Sequence, residues 1–571
     1  MRKFALYAVL LGLAALVGCS TRSEPQKSSE PSVLIITLDT TRADRMGFLG
    51  NKQGLTPNLD AFAKKAYRFS HCESAIPQTF PSHATIFSGW TPNHHGARKN
   101  LEVYLSKKVP LLAPAFKKAG YHTAAFISAM VLLNRYGLGR GFQTYNESFY
   151  DPRDPSQNRR PAGETLDLAG QWIQGQAGPW FCWVHLYDPH TPYRPPAPFS
   201  AKYAKDPYDG EIAYMDQELG YFFQRLEKSG KLKNTLVVIA GDHGEGLGDH
   251  GEDTHTLFIY DSTIHVPLLV HLPGETAGRN VTRTVGLVDI APTVLDYSGL
   301  PAWKTDGRSL RPLMSGGKWP SQPLYMESLE GLEDFGWAPL YGLVDDGYKY
   351  ILAPRPELYD LKTDPDETDN LVKKEPQRAS SMRTQLQKII TDTTAVSSKA
   401  VAVSNEELES LQSLGYIGGG MGSAKPSASY RDPKDMVGLF EIYTQAIEEL
   451  QLGDNRQAAA LFEKVLARSP NNPITAYSLA VCIEPDQPER AAKLYERAIK
   501  ARPDFPQPYP KLMMLWLGQG QAQKAFALGR IALQKAPDLT GDVHVLMAWA
   551  LFNQNNPDAD VMKYLDADRK I

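Results

Sequence analysis

The chain has 571 residues, 42% of them hydrophobic, which is enough for two or three domains around a large core. A formal net charge of −3 leaves no basic footprint, so a nucleic acid is excluded as the expected partner. The four cysteines, Cys19, Cys72, Cys182 and Cys482, show no paired spacing, which excludes a disulfide framework and a zinc–thiolate cluster.

Arg2 and Lys3 precede an apolar stretch from Phe4 to Val17, too short to span a bilayer and ending in small residues. That is the pattern of a secretory signal. Leu16-Val17-Gly18-Cys19 resembles the lipobox of bacterial lipoproteins. The resemblance implies a signal peptide over 1–19, a diacylated Cys19, and an extracytoplasmic protein anchored through lipid to the bacterial membrane. Ser20 after the cysteine, rather than Asp, implies the outer membrane where the cell has one. Residues 20–32 are rich in Ser, Pro and charge and suit a tether between anchor and fold.

Two branched-chain runs, Val33 to Leu38 and Thr235 to Ala240, read as buried parallel strands. The first ends in Asp39 and the second in Gly241-Asp242-His243-Gly244. In open α/β sheets ligands gather beyond the carboxyl ends of such strands, so two strands about 200 residues apart bring oxygen and imidazole ligands to one metal. A lone acid there would serve equally as a helix N-cap; the matched acids and the His in a Gly-rich turn favour the metal.

Further strands are expected at 123–127, 180–186 and 267–271, alternating with helices from Thr56-Pro57 to Ala66, around Leu111 to Lys118 and over Glu211 to Lys228. This alternation predicts an α/β domain over 33–400, a mostly parallel sheet sandwiched by helices. A polar stretch from about Asn405 reaches Gly418-Gly419-Gly420-Met421-Gly422-Ser423, so 401–432 reads as a linker. Beyond it Pro470, Pro503 and Pro537 recur at intervals of 33 and 34, preceded twelve residues earlier by Ala458, Ala491 and Ala525 and five earlier by Val465, Ala498 and Ala532. With Gly453 and Gly520 at turns, residues 433–571 resemble tetratricopeptide repeats, an all-α domain. Asp486 and Gly529 depart from the repeat pattern, and a plain helical bundle is the alternative. Such repeats give a concave surface for a protein partner or merely a packing appendage.

Thr79-Phe80-Pro81-Ser82-His83 lies between the two acid-ended strands, with Pro81 placing Thr79 at a helix N-terminus suited to an anion. Taken in order, Asp39, Thr79-Phe80-Pro81, His94-His95-Gly96, Asp242-His243-Gly244, His265-Val266-Pro267 and Glu357-Leu358-Tyr359-Asp360 are similar to the sulfatase branch of the alkaline phosphatase superfamily. The resemblance covers roughly residues 33 to 375 and implies an alkaline phosphatase-like fold.

The departures from that branch matter as much. Sulfatases carry Cys or Ser at the position of Thr79, oxidise it to formylglycine and follow it with Pro-X-Arg. Oxidising threonine would give a ketone, and Ser82 is out of register to replace it. The motif is closer to nucleotide pyrophosphatase/phosphodiesterases, which use an unmodified Thr; in them an Asn twenty-one residues later contacts a phosphoryl oxygen, the position of Asn100. Asp39, Asp242 and His243 would hold one cation against Thr79 and activate its hydroxyl. Asp188, His190 and His255 are candidate ligands of a second cation. Equally, His190 matches the substrate-contacting His of sulfatases, and His255 stands where they often carry a substrate-binding Lys.

The expected protein is therefore a metal-dependent hydrolase of a phospho- or phosphonoester, using one or two divalent ions, zinc or manganese ahead of calcium. Its substrate would be a phospho- or sulfo-ester small molecule, lipid or glycan. Rival readings are a sulfatase, a phosphoethanolamine-type transferase and a non-catalytic binding lipoprotein. His83, His95, His250 and His265 read as structural histidines, Arg98 and Lys99 as a solvated loop, and Asp60, Asp289 and Asp296 as caps and helix surface.

Overall fold

A computed structural model describes residues 30–100, 103–150, 159–391, 396, 399–400, 430–536, 540–554, 561 and 564. The signal, Cys19, the tether up to Ser29, the Gly-rich break and Pro537 lie outside the described residues.

Eight strands form the central sheet: β1 (Ser32–Leu38), β2 (Tyr67–Phe69), β3 (His122–Phe126), β4 (Thr144–Asn146), β5 (Trp180–Leu186), β6 (Thr235–Gly241), β7 (Leu268–His271) and β8 (Arg279–Val281). Their order is β8-β2-β7-β6-β1-β5-β3-β4. Only β7 runs antiparallel, against β2 and β6. All seven residues of β1, β5 and β6 are buried, because helices cover both faces. Val33 and Ile35 join Phe181, Trp183 and Phe116 in one layer, while Leu34, Ile36 and Leu38 join Ile212, Leu219 and Phe222 in the other. That split is the period of two in the pleat.

Helix α1 (Thr79–Ser88) packs on one face through Phe80, Ala84 and Phe87; α2 (Ala162–Gln174) and α3 (Pro207–Lys228) cover the other face. The first predicted helix is shorter than expected, Pro57–Ala63, and Thr56 does not cap it. The Thr56 hydroxyl instead accepts from the Gly47 N–H and donates to Asp60, tying the helix to the preceding turn. Asp289 does act as a cap, accepting from the Gly286 and Arg308 N–H groups, and Asp296 pairs with Arg311 on the surface.

A second sheet, for which no strand was expected from the sequence, is an antiparallel meander of Leu324–Ser328, Leu340–Asp345, Tyr348–Leu352 and Glu357–Asp360. The helix Pro376–Thr391 packs on it through Met382 and Leu386.

Helices α4 (Pro433–Gln451), α5 (Asn455–Arg468), α6 (Pro473–Ile483), α7 (Pro488–Ala501), α8 (Pro508–Gly518), α9 (Ala522–Lys535) and α10 (Thr540–Phe552) follow. Ala458, Ala491, Ala525, Val465, Ala498 and Ala532 are all 0% exposed, so the recurring small positions are the helix–helix contacts. Gly529 departs from the repeat pattern for a steric reason. A Cβ there would lie 2.5 Å from Cγ of Met547, whose side chain fills the space a bulky residue would take.

The repeats share one continuous core with the domain that precedes them. Leu257 to Tyr260, Phe335 and Trp337 pack with Met436, Leu439, Phe440 and Tyr443 of α4, and the Phe335 and Tyr443 rings stand 5.1 Å apart. The Asn472 amide donates to the Asp334 carbonyl at 2.9 Å, and the Arg502 guanidinium to the Glu333 carbonyl at 2.8 Å.

Candidate active site

β1 and β6 lie side by side in parallel with Leu38 opposite Gly241, so the next residues, Asp39 and Asp242, emerge as neighbours. Ligand atoms of Asp39, Asp242 and His243 all lie within 4.8 Å of one another, and none of the three is exposed. Among the described residues this is the one group of three or more His, Cys, Asp or Glu able to share an ion.

Each ligand is held by its own support. The Asp242 carboxylate accepts from the Thr40 and His243 N–H groups through Oδ1, at 3.1 and 2.8 Å, while Oδ2 is buried without a hydrogen-bond partner. His185 Nε2 lies 3.0 Å from Asp39 Oδ2, and the Ser128 N–H directed at Nδ1 leaves the ring proton on Nε2 to donate to the carboxylate. The Thr40 hydroxyl donates to the other oxygen of Asp39. His243 Nδ1 donates to the Gly244 carbonyl at 3.0 Å, so Nε2 presents its lone pair 3.3 Å from Thr79 Oγ1. Glycine is required after it, since a Cβ at 244 would sit 2.1 Å from the Ser262 carbonyl oxygen.

Electrostatics favour a cation here. Burial opposes charge on Asp39, yet the hydrogen bond from His185 and the surrounding imidazoles hold its carboxyl well below the usual range. Burial and the neighbouring Asp39 push Asp242 well above its ordinary value. Two buried carboxyl groups facing each other, one oxygen unpartnered and an imidazole lone pair alongside, form a donor set that fits a divalent ion.

Thr79 is fully buried at the first position of α1, after Gln78 in extended backbone. The helix N-terminus is not wholly open to an anion, because the Phe80 N–H donates to Asn100 Oδ1 at 2.8 Å. Asn100 is in turn fixed by its own N–H on Gln78 Oε1 at 2.9 Å, and its side-chain NH2 is buried with no partner. The unpartnered donor is thus the Asn100 amide. Ser82 donates to the Asp242 carbonyl at 2.8 Å, which engages its hydroxyl away from that of Thr79.

His190 and His255 reach the same cluster. The His255 ring centroid is 4.5 Å from that of His243 and 5.2 Å from that of His190. His190 Nδ1 donates to the Thr191 carbonyl at 2.7 Å and His255 Nδ1 to Glu245 Oε1 at 3.0 Å, which turns both Nε2 atoms away from those anchors. Burial keeps both rings neutral, lowering His190 to about 4 and His255 to about 3. Asp188 is not brought to this cluster. Its Oδ1 accepts from the Ala162 N–H at the start of α2, and it lines a separate small cavity with Tyr187, Glu211 and Tyr214. The Ala162 N–H ties down one oxygen of that carboxylate, while Oδ2 is buried without a hydrogen-bond partner.

The structural histidines behave as expected: His83 bridges the Thr79 carbonyl and the Thr37 hydroxyl, and His95 bonds Thr85. His250 stacks on Tyr260, and His265 bonds the Ser70 carbonyl. Arg98 and Lys99 are not a solvated loop, however. Arg98 pairs with buried Glu327, on the first strand of the second sheet, and Lys99 with buried Asp334, in the helix Glu330–Phe335 that follows it. Sequence reasoning missed His185 and Glu245. His185 was hidden in a buried strand, and its signal is an imidazole in the middle of an otherwise apolar run; Glu245 follows the Asp242-His243-Gly244 turn.

Residues 31–300 match the sulfatase family. This segment is a sulfatase-family domain. Residues 248–395 match the C-terminal part of N-sulphoglucosamine sulphohydrolase, and residues 443–504 the tetratricopeptide repeat. An arylsulfatase of Clostridium perfringens is 24% identical over 443 residues, 61% of this chain and 91% of the relative. A choline-sulfatase of Rhizobium meliloti is 25% identical over 434 residues, 60% and 83% of the two chains. Arylsulfatase K of Bos taurus is 34% identical over 196 residues, 32% and 36%. Among solved structures, the phosphonate monoester hydrolase of Agrobacterium radiobacter shares the fold with a TM-score of 0.55, at 22% identity over 63% of this chain and 95% of that one. The sulfatase-family domain makes this chain an ester-bond hydrolase, and its carboxylate–imidazole set fits the metal dependence of such enzymes.

Proposed function

We propose that the sulfatase-family domain cleaves a phosphoester or phosphonoester through a covalent intermediate on Thr79. The observation that carries this reading is an unmodifiable threonine hydroxyl 3.3 Å from His243 Nε2, where formylglycine enzymes need Cys or Ser. A cation held by Asp39, Asp242 and His243 beside Thr79 would supply the positive charge that lowers the hydroxyl pKa and offsets phosphoryl charge. Thr79 Oγ1 forms a bond to phosphorus as the bond to the ester oxygen breaks, and the hydroxyl proton leaves with the released alcohol. Water then cleaves the Thr–O–P bond and restores the hydroxyl. The Asn100 side-chain NH2, buried and unpartnered, donates to a non-bridging oxygen. His190 and His255 contact the transferring group, and one cation per chain is the count this arrangement supports. The imidazole ligand favours zinc or manganese over calcium.

Aryl phosphodiesters, phosphomonoesters, phosphonates and sulfates, each assayed with zinc, manganese and calcium, test the reading. A phosphorus ester should be turned over with kcat/KM at least about 100-fold above the matched sulfate. A sulfate ester as the fastest substrate would overturn it in favour of the activity of the relatives, and transfer to an added alcohol in place of hydrolysis would make the protein a transferase.

The lipobox supports an extracytoplasmic lipoprotein, and the repeats a protein partner. No helix among the described residues is long and apolar enough to cross a membrane. Cys19→Ser is expected to leave the signal uncleaved and to abolish labelling by a radioactive fatty acid; normal processing of that variant would sink the anchor.

A further inference from the structure

The two loops that carry His190 and His255 both rest on α4, the first repeat helix. The Thr191 hydroxyl donates to Glu448 Oε1 at 3.3 Å, and the Thr191 carbonyl is the acceptor that fixes His190 Nδ1. Two turns earlier on the same helix, Glu441 Oε1 accepts from the Asp253 N–H at 3.1 Å, two residues before His255. That second loop is tightly wound. Buried Glu252 accepts from the Leu257 and Phe258 N–H groups, bracketing His255 from below, and Leu257 and Phe258 pack into the cluster that holds Met436, Leu439 and Phe440. At the turn of the loop a Cβ on Gly251 would stand only 3.4 Å from Val437, so α4 lies directly against it.

We infer that α4 is a positioning element of the active site, with Glu448 and Glu441 holding the loops of His190 and His255 in register with Thr79. The tetratricopeptide unit is on this account a working wall of the hydrolase rather than an appendage, although its nearest residues touch no substrate. The physical reason is preorganisation: the two imidazoles sit on irregular loops, and a displacement of about 1 Å in such groups costs far more in the transition state than in substrate binding. The inference rests on the reading that His190 and His255 contact the transferring group.

The test uses the full chain and whichever ester the substrate panel finds fastest. The double variant Glu441→Ala, Glu448→Ala should lower kcat about 10- to 100-fold with KM changed less than about threefold, and with little change in the melting temperature. Glu441→Gln, Glu448→Gln keeps an acceptor oxygen at both positions and should recover most of the loss. Both carboxylates are partly exposed, so the single variants Glu448→Ala and Glu441→Ala serve if the double variant melts early. An unchanged kcat in the alanine variants overturns the inference, as does a glutamine pair as impaired as the alanine pair. Thr79→Ala, run alongside, reports separately on the covalent reading: activity there defeats that reading while the α4 variants still report on positioning.

Discussion

Thr79→Ala is expected to lower kcat/KM on the best phosphorus ester by at least about 10⁴-fold while leaving the fold intact. Removing the nucleophile of a double-displacement enzyme leaves only binding and electrostatic stabilisation, and deleting a comparable nucleophile costs as much as about 10⁶-fold, which makes about 10⁴-fold a lower bound here. The fold should tolerate the change, since the Thr79 hydroxyl touches His243 while its carbonyl, held by His83, stays in place. Thr79→Ser retains a hydroxyl at the same atom and should stay within about tenfold of the parent, losing mainly the rotamer restriction of a β-branched side chain. Rapid quenching followed by intact mass measurement should find a phosphoryl or phosphonyl adduct that maps to Thr79. An alanine variant with parental activity would remove Thr79 from the chemistry.

Chelation is expected to lower activity by about a thousandfold or more, with recovery on adding back one divalent metal. The reason lies in the Asp39–Asp242 pair, two buried carboxyl groups with one unpartnered oxygen that a cation satisfies. Elemental analysis of active protein should approach about one ion per chain, because Asp39, Asp242 and His243 are the one group of three ligand side chains brought together among the described residues. Asp242→Ala should lose that ion together with activity. His255→Ala should keep it and lose about tenfold to a thousandfold in kcat/KM through weaker transition-state contact. About two ions per fully active chain, one of them lost in His255→Ala, would reverse the one-cation reading and make His190 and His255 ligands.

The contrast between Asp39 and Asp188 shows what kind of information a chain carries on its face. Both acids follow a buried strand, and in the sequence both are ligand candidates, Asp39 for a first cation and Asp188 for a second. Asp39 meets Asp242 because β1 and β6 are adjacent, whereas Asp188, at the end of the other neighbour of β1, turns to the N-terminus of α2. Strand adjacency and the direction of a side chain after the last residue depend on pairing between segments far apart, which periodicity does not encode.

Composition, periodicity and motif order alone determined the α/β class, the buried strands, the repeat region and the chemistry available at Thr79, because these follow from local hydrophobic pattern and residue type. Asn100 came instead from the family resemblance, which places an Asn at a fixed spacing from Thr79. His185 and Glu245 were not legible. Their roles exist only once β5 lies beside β1 and the loop after β6 folds back to bring Glu245 to His255. The onset of the repeats was legible as a change of grammar, but not the apolar surface of Phe335 and Trp337 that α4 covers. A linker says where local pattern ends; whether two units share a core is decided by complementary surfaces, which form only in the folded chain.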